Sequence, residues 1–99
     1  MKRRQVIFSP EARKDLLLLG DWIAERAGAE VALRYIERLE SFCVGLEISS
    51  ERGHRRDDVR PGLRIVGFGR RIAIAFTLTS TEVTILRLHH GGRNWDAAP

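Results

Sequence analysis

Apolar residues recur with different spacings along the chain, and each spacing predicts a different element. Residues 5–8 (QVIF), which include the apolar stretch 6–8, predict a short strand. Ser9, Pro10 and Glu11 then fit the cap, the first position and the first turn of a helix. Helical spacing continues to Ala27, and the core-facing stripe consists of Ala12, Leu16, Leu19, Ile23 and Ala27.

A second run of helical spacing predicts a second helix from about Ala29 to Ile48. Gly28 is a natural terminator of the first helix, and it leaves only a short connection between the two. The two helices should therefore form an antiparallel hairpin. The stripe of the second helix consists of Ala32, Tyr35, Ile36, Leu39, Phe42, Cys43 and Leu46.

The rest of the chain changes from a polar loop to strands. Residues 49–62 (SSERGHRRDDVRPG) are polar and rich in turn formers, which predicts a loop. Three strands are predicted after it, at residues 63–68, 71–78 and 82–88, followed by a polar tail at residues 89–99. The last strand is apolar on both faces, as expected of a central strand. The order β-α-α-β-β-β predicts an α+β fold, with a helical hairpin packed on a small, mostly antiparallel sheet.

The length of 99 residues fits a single domain, predicted to span residues 1–99. No apolar run reaches the roughly 18 residues of a membrane span, so no membrane association is expected. The apolar stretch after the first residues is too short for a signal peptide, and a soluble, cytoplasmic protein is expected. Cys43 is the only cysteine, which excludes an internal disulfide, and its apolar neighbours predict a buried, inert thiol.

The charge balance favours an anionic partner. The net charge is +4, and all but two of the 17 basic residues, Lys2 and Lys14, are arginine. Arginine matches carboxylates and phosphates through its rigid fork of donors. Nucleic acid and an acidic protein would both suit such a chain, and charge alone does not choose between them.

Four segments, in order, carry a family resemblance. Residues 8–28 (FSPEARKDLLLLGDWIAERAG) and 32–43 (ALRYIERLESFC) resemble the two helices of ParE-like toxins. Residues 53–76 (GHRRDDVRPGLRIVGFGRRIAIAF) resemble the loop and hairpin of that family, and residues 83–95 (VTILRLHHGGRNW) resemble its last strand and basic tail. The chain is therefore similar to the ParE branch of the RelE/ParE superfamily over nearly its whole length.

The resemblance implies a function as well as a fold. ParE-like toxins of type II toxin–antitoxin systems act on DNA gyrase without a cofactor. A ParD-like antitoxin neutralises them by folding its C-terminal region across the toxin. DNA binding by the complex resides in the antitoxin, so the toxin alone is not expected to bind DNA sequence-specifically. The resemblance therefore implies growth inhibition through gyrase by a protein that is not an enzyme.

The RelE branch of the superfamily offers an alternative, a ribosome-dependent mRNA endonuclease. Such cleavage needs a base, cations for the phosphate and an acid. Arg64, Arg87, His89 and His90 could supply cations and an acid or base, but the strand after the loop contains no carboxylate. RelE is known for a Lys/Arg cluster with a tyrosine near the C-terminus, whereas Tyr35 lies on a helix stripe. The sequence favours the gyrase inhibitor, and a third possibility is a homologue that binds antitoxin without strong toxicity.

Candidate target contacts lie near the end of the chain. His89, His90, Arg93 and Trp95 include residue types enriched in binding hot spots. A solvated tail with Trp95 against the sheet edge is an equally good interpretation. A metal site is not expected at the histidine pair, because adjacent strand residues point to opposite faces.

Arg87 lies between two leucines of the last predicted strand. Strict alternation places its side chain on the face of Val83 and Ile85. A structural ion pair is favoured over a target contact, and its candidate partners are Asp57, Asp58 and Glu82.

Candidate antitoxin contacts fall into an apolar and a charged group. The apolar group lies off the helix stripes or at their margin, and it would form a patch for an amphipathic helix if its members adjoin. It consists of Leu17, Leu18, Trp22, Leu33 and Val44. The charged group is the loop arginines Arg55, Arg56 and Arg60. They alternate with two aspartates, which favours local ion pairs over recognition of an acidic antitoxin or gyrase surface.

Overall fold

A computed structural model describes residues 4–49 and 53–90 and shows a helical hairpin packed on a five-stranded sheet. The helices are α1 (Pro10–Ala27), α2 (Ala29–Val44) and the one-turn α3 (Leu46–Ser49). The strands are β1 (Gln5–Phe8), β2 (His54–Arg55), β3 (Leu63–Phe68), β4 (Ile72–Leu78) and β5 (Glu82–His90). The predicted α+β architecture is therefore confirmed, with one additional strand and one additional helical turn.

Helix α1 begins where the sequence predicts, because Ser9 caps it and also binds the sheet. The Ser9 backbone is extended (φ −65°, ψ 160°), and its Oγ accepts a hydrogen bond from the Ala12 N–H at 3.0 Å. The same hydroxyl donates to the Leu86 carbonyl of β5 at 2.8 Å. Gly28 ends the helix with φ +96°, a conformation that favours glycine, and its N–H donates to the Ala24 carbonyl at 2.9 Å. Both ends of α1 are therefore set by local residues.

Helix α2 ends at Val44 and Leu46–Ser49 form the separate turn α3, so the prediction of one continuous helix to Ile48 is wrong at Gly45. Gly45 separates α2 from α3, and glycine is among the weakest helix formers. The α3 turn then reaches the start of the sheet, where the Glu47 carbonyl accepts a hydrogen bond from the Arg4 N–H at 2.8 Å. The sequence pattern misses this break because apolar residues on both sides of Gly45 keep the helical spacing.

The strand order is β1-β5-β4-β3-β2, with β1 parallel to β5 and every other pair antiparallel. The predicted, mostly antiparallel sheet is confirmed. Strand β5 continues past the predicted end at Leu88, so His89 and His90 belong to the strand and not to the tail. Strand β4 begins at Ile72 rather than Arg71. A β-bulge interrupts the register between β4 and β5.

Strand β2 lies within the segment that was expected to be a loop. It consists of His54 and Arg55, which pair antiparallel with Ile65 and Arg64 of β3. Gly53 precedes it with φ +85°, and a Cβ there would lie 2.5 Å from the Ile65 carbonyl oxygen. The prediction of a continuous loop is therefore wrong here, because a two-residue strand is too short to show alternation.

The core lies between the hairpin and the sheet. Its largest completely buried side chains are Leu39, Cys43, Leu46, Ile74, Phe76, Val83 and Ile85. Cys43 is buried as predicted, and burial, with a smaller contribution from the Glu40 charge, raises the pKa of its thiol to about 12. The thiol is therefore protonated and unreactive at neutral pH. In the described part of the chain, no helix combines the length and apolar character needed to cross a bilayer.

Candidate functional site

Strand β1 is shorter than β5 and pairs only with its first half. Ser9 and the start of α1 form hydrogen bonds with backbone groups of β5 from Ile85 onwards. Phe8, the last residue of β1, pairs with Ile85. Beyond that point the Ser9 N–H donates to the Ile85 carbonyl at 2.9 Å, and Asp15 Oδ2 accepts from the Leu88 N–H at 2.9 Å. Backbone groups of β5 that have no neighbouring strand are thus hydrogen-bonded by α1.

Asp15 also holds Arg87 in a two-pronged ion pair. Arg87 Nε donates to Asp15 Oδ2 at 2.8 Å, and Nη2 donates to Oδ1 at 3.2 Å. The Asp15 side chain is 12% exposed and that of Arg87 is 40% exposed. A structural ion pair is confirmed, but the predicted partners Asp57, Asp58 and Glu82 are wrong. The true partner is 72 positions away on α1, and a pattern within one strand contains no information on such a contact.

The neighbours of Asp15 keep its carboxylate charged. Burial acts to raise the pKa of Asp15, but hydrogen bonds from Arg87 and Leu88 and charge interactions with Arg87 and His89 outweigh it. The pKa therefore lies below its usual value of 3.8. The same hydrogen bond raises the pKa of the Arg87 guanidinium. The lowered pKa makes the Asp15 carboxylate a weaker base, and the raised pKa makes the Arg87 guanidinium a weaker acid, so neither is suited to proton transfer at neutral pH.

The four residues considered for RNA cleavage do not share one face of the sheet. Arg64 and His90 pair with β4 residues that pack against the helices, whereas Arg87 and His89 pair with alanines of the opposite face. The bulge in β5 shifts the alternation, so Arg87 is not on the face of Ile85 as predicted. In addition, Arg87 is bound to Asp15 and His89 is only 8% exposed.

Only one member of the histidine pair is accessible. His90 is half-buried, and its ring centre lies 5.1 Å from that of Trp22 at an angle of 48°. His89 is buried, which corrects the prediction of a surface group containing both histidines. Within residues 4–49 and 53–90, no three His, Cys, Asp or Glu side chains form a group that could hold a metal ion. Arg93 and Trp95 lie outside the described residues.

The exposed apolar residues of the hairpin form a groove and not one continuous patch. Leu17 and Leu33 are 71% and 59% exposed and line a furrow between α1 and α2 with a volume of about 290 Å³. We call this furrow the hairpin groove, and its lining includes Leu17, Gly20, Ala24, Ala29, Leu33 and Ile36. Leu18 is on the Trp22 side of α1, four residues away, and Val44 lies in a separate depression beside Glu40. The five apolar candidates are therefore distributed over three places.

Trp22 lines a second cavity, between the hairpin and the ends of β4 and β5. This sheet-end pocket has a volume of about 240 Å³ and is lined by Leu19, Trp22, Ile23, Tyr35, Arg71, Ile72 and His90. The Arg26 guanidinium lies 4.1 Å from the centre of the Trp22 ring, and that of Arg38 lies 5.5 Å from the centre of the Tyr35 ring. The pattern of residues along the chain does not reveal this pocket. In the sequence, the one feature that relates to it is the four-residue spacing of Trp22 and Arg26, which places them one turn apart on a helix.

Local carboxylates hold two of the three loop arginines. Arg55 Nε lies 3.2 Å from Asp57 Oδ2. Arg56 donates through Nε and Nη2 to the two oxygens of Asp58 at 3.0 and 2.9 Å, and this hydrogen bonding lowers the pKa of Asp58. The expected local ion pairs are confirmed for Arg55 and Arg56. Arg60 is exposed and has no carboxylate within ion-pair distance in the described part of the chain.

Comparisons with known proteins identify a matching family and similar solved structures. The sequence profile of the family described as "ParE toxin of type II toxin-antitoxin system, parDE" matches residues 6–95. No curated protein sequence matches the chain significantly. Among solved structures, the chromosomal ParDE toxin–antitoxin system from P. aeruginosa is similar, with a TM-score of 0.77 and 22% identity over 89% of this chain and 96% of that chain.

Two further toxin–antitoxin complexes share the fold. A chain of the RelBE2 complex from Mycobacterium tuberculosis has a TM-score of 0.65 and 22% identity, over 94% of this chain and 97% of that chain. A chain of the E. coli DinJ-YafQ complex has a TM-score of 0.56 and 16% identity, over 89% of this chain and 92% of that chain. The likeness to these structures concerns the fold, whereas the family profile covers most of the chain. The chain therefore belongs to the ParE toxin family of type II toxin–antitoxin systems.

Proposed function

We propose that this ParE-family toxin inhibits DNA gyrase by binding to it and is not an enzyme. The observation that carries the proposal is the ion pair between Arg87 and Asp15. Cleavage of RNA would need an available cation beside the scissile phosphate. Arg87 is the candidate for that role on β5, and its guanidinium is instead bound to α1 at 2.8 Å.

The other groups that RNA cleavage would need support the same proposal. His89 is 8% exposed, so it is poorly placed to reach a large substrate such as mRNA. Strand β3 contains no carboxylate to act as a base. Tyr35 is the only tyrosine, and its ring packs edge-on against Phe68 at 5.7 Å. Among the described residues, these candidates therefore do not supply an accessible base, cation and acid together.

The contact with gyrase is proposed at the end of β5. His90 is the accessible histidine there, and the chain continues from it towards Arg93 and Trp95. Trp and Arg are the residue types most enriched among residues that dominate binding energy. These three residues are the ones to scan first for loss of gyrase inhibition with retained folding.

A ParD-like antitoxin is proposed as the neutralising partner, bound in the hairpin groove. Leu17 and Leu33 are exposed on the two sides of this groove, and small residues form its floor. Such a surface suits an amphipathic segment that inserts apolar side chains at helical spacing. The similar solved structures are toxin–antitoxin systems and complexes, which supports a partner of this kind. Sequence-specific DNA binding is proposed to reside in the antitoxin.

The proposal is tested by inducing the chain in a sensitive bacterium, with and without a ParD-like antitoxin. Two readouts are taken from the same culture: trapped gyrase–DNA cleavage complexes with the DNA damage response, and mapped mRNA cleavage with the translation rate. We expect DNA damage with intact mRNA, and growth restored by the antitoxin. Rapid mRNA cleavage with intact DNA would instead support the RelE-type endonuclease. Undisturbed growth without antitoxin would indicate a chain that has lost strong toxicity.

A further inference from the structure

We infer that the sheet-end pocket binds one bulky apolar side chain from an acidic peptide segment of the antitoxin. The inference rests on the proposed pairing with an antitoxin and adds a second anchor site, separate from the hairpin groove. The pocket is lined by residues of α1, α2, β4 and β5, together with Arg71 just before β4.

The shape of the pocket fits one side chain. Leu19, Ile23 and Ile72 supply apolar walls, and the rings of Trp22 and Tyr35 supply aromatic ones. Its volume of about 240 Å³ is below the roughly 300–1,000 Å³ of pockets that hold whole small molecules. A single leucine, phenylalanine or tryptophan side chain of a partner is therefore a better occupant than a cofactor.

The charge around the pocket specifies the kind of peptide. Arg71 and His90 line it, and Arg26 and Arg38 stack on its two aromatic residues. Among the described residues, its lining contains no carboxylate. Unlike Arg87, the guanidinium groups of Arg26, Arg38 and Arg71 have no carboxylate within ion-pair distance in residues 4–49 and 53–90. These cations complement a segment in which aspartate or glutamate flanks the apolar side chain.

The arrangement of the rings favours a peptide over a single-stranded nucleic acid. Nucleic-acid sites of this kind use open aromatic faces on which bases stack. The Trp22 ring contacts both Arg26 and His90, and the Tyr35 ring contacts both Arg38 and the nearly perpendicular ring of Phe68. The rings thus form walls of a cavity and not an open stacking surface.

One partner segment can reach both anchor sites because α1 lines both of them. Leu17 and Gly20 line the hairpin groove, whereas Leu19 and Ile23 of the same helix line the sheet-end pocket. A helix with its side chains is roughly 10–12 Å across. An antitoxin segment that crosses α1 would therefore place apolar side chains in both sites.

The test uses a blocked ten-residue peptide with one central phenylalanine and glutamate at most other positions, titrated into the full chain by calorimetry. We expect replacement of the phenylalanine by alanine to weaken binding about tenfold or more. Arg38→Glu and Arg71→Glu should each weaken it at least severalfold, because each change reverses a charge at the pocket. Arg34→Glu is the matched control: it makes the same change one turn earlier on the exposed side of α2, and should leave the affinity unchanged.

Several results would overturn the inference. These are absence of binding, equal binding of the alanine peptide, and equal weakening by Arg34→Glu. Tighter binding of an oligothymidylate that is sensitive to Arg71→Glu would assign the pocket to nucleic acid. If the peptide bound only after Trp95→Ala, the pocket would be assigned to the chain's own C-terminal residues. Gyrase inhibition is measured separately, so failure of this inference and failure of the proposed function are distinguishable.

Discussion

Asp15 combines two roles, because it lies where α1 meets the open edge of β5. It accepts the Leu88 N–H and binds the Arg87 guanidinium. Its removal would leave the N–H of the buried Leu88 and the Arg87 guanidinium without their partner, and an unpaired buried backbone donor is costly. Arg87 contributes less, because its side chain is 40% exposed and Asp15 would keep its bond to Leu88 in its absence.

The two substitutions should therefore differ in their effect on stability. We expect Asp15→Ala to lower the free energy of unfolding by about 2–4 kcal/mol and Arg87→Ala by about 1 kcal/mol. Urea denaturation followed by circular dichroism measures both. Equal losses would contradict the role of Asp15 as a backbone partner. A loss of toxicity without any loss of stability in Arg87→Ala would identify Arg87 as a target contact.

The low pKa of Asp15 also makes stability depend on pH. Its folded-state pKa lies below the usual value of 3.8, so the unfolded chain takes up the proton first as the pH falls. The contribution of Asp15 is therefore complete above about pH 5, where the carboxyl of the unfolded chain is also ionised, and is lost as the pH falls through the folded-state pKa. Between pH 5 and about pH 2 the native chain should lose more stability than Asp15→Asn. Asp21 is exposed, and Asp21→Asn is the control, whose stability should change with pH as that of the native chain does. If the stability of Asp15→Asn changed with pH in the same way, the contribution assigned to Asp15 would be disproved.

Among the elements, the first helix was predictable because its signals are local. Ser9 caps α1 and Gly28 ends it within the residues that the sequence pattern covers. The break at Gly45 and the strand β2 were not predictable in the same way. The break leaves the apolar spacing unchanged, and β2 depends on the approach of Gly53 to the backbone of β3, which lies elsewhere in the sequence.

Strand β2 leads to a prediction for Gly53. This residue has φ +85°, and a Cβ would lie 2.5 Å from the Ile65 carbonyl oxygen. Gly53→Ala should therefore cost about 1–3 kcal/mol of stability. Gly67→Ala is the matched control within β3, because the nearest atom to its Cβ would be at 3.7 Å, an ordinary contact. Thermal unfolding compares the two, and similar melting temperatures would mean that β2 is not held against β3 in solution.

The two helices lead to a prediction for the hairpin groove. Leu33→Glu places a charge on an exposed wall of the groove, so binding of a ParD-like antitoxin should weaken about tenfold or more with unchanged folding. Val59→Glu makes the same chemical change at an exposed apolar residue outside the groove and should leave binding unaltered. Calorimetric titration of both variants with the antitoxin measures the two affinities. Unchanged affinity for Leu33→Glu would place the antitoxin elsewhere on the toxin.

At the scale of the whole molecule, the candidate sites depend on contacts between distant parts of the chain. Arg87 meets Asp15 across 72 positions, and the sheet-end pocket joins α1, α2, β4 and β5. The sequence identified Arg87, Trp22 and His90 as residues of interest from their type and position. It did not identify their neighbours, because periodicity describes one element at a time. The bulge in β5 had the further effect of reversing the expected face of Arg87.

Fold alone does not decide between gyrase and mRNA as the target, because one fold can carry unrelated activities. Solved structures that share this fold include both a ParDE and a RelBE2 toxin–antitoxin system. The choice therefore depends on whether the groups at the end of β5 are available for chemistry, and in this chain Arg87 is bound to Asp15 and His89 is buried.

The most direct test adds the purified toxin to purified DNA gyrase and relaxed plasmid, and measures supercoiling and cleaved DNA after denaturation. In a parallel reaction the toxin is added to a translation extract, and mRNA ends are mapped. The proposal predicts loss of supercoiling or accumulation of cleaved plasmid, reversed by the antitoxin, with mRNA intact. Full supercoiling at toxin excess, together with new mRNA ends in the extract, would contradict it.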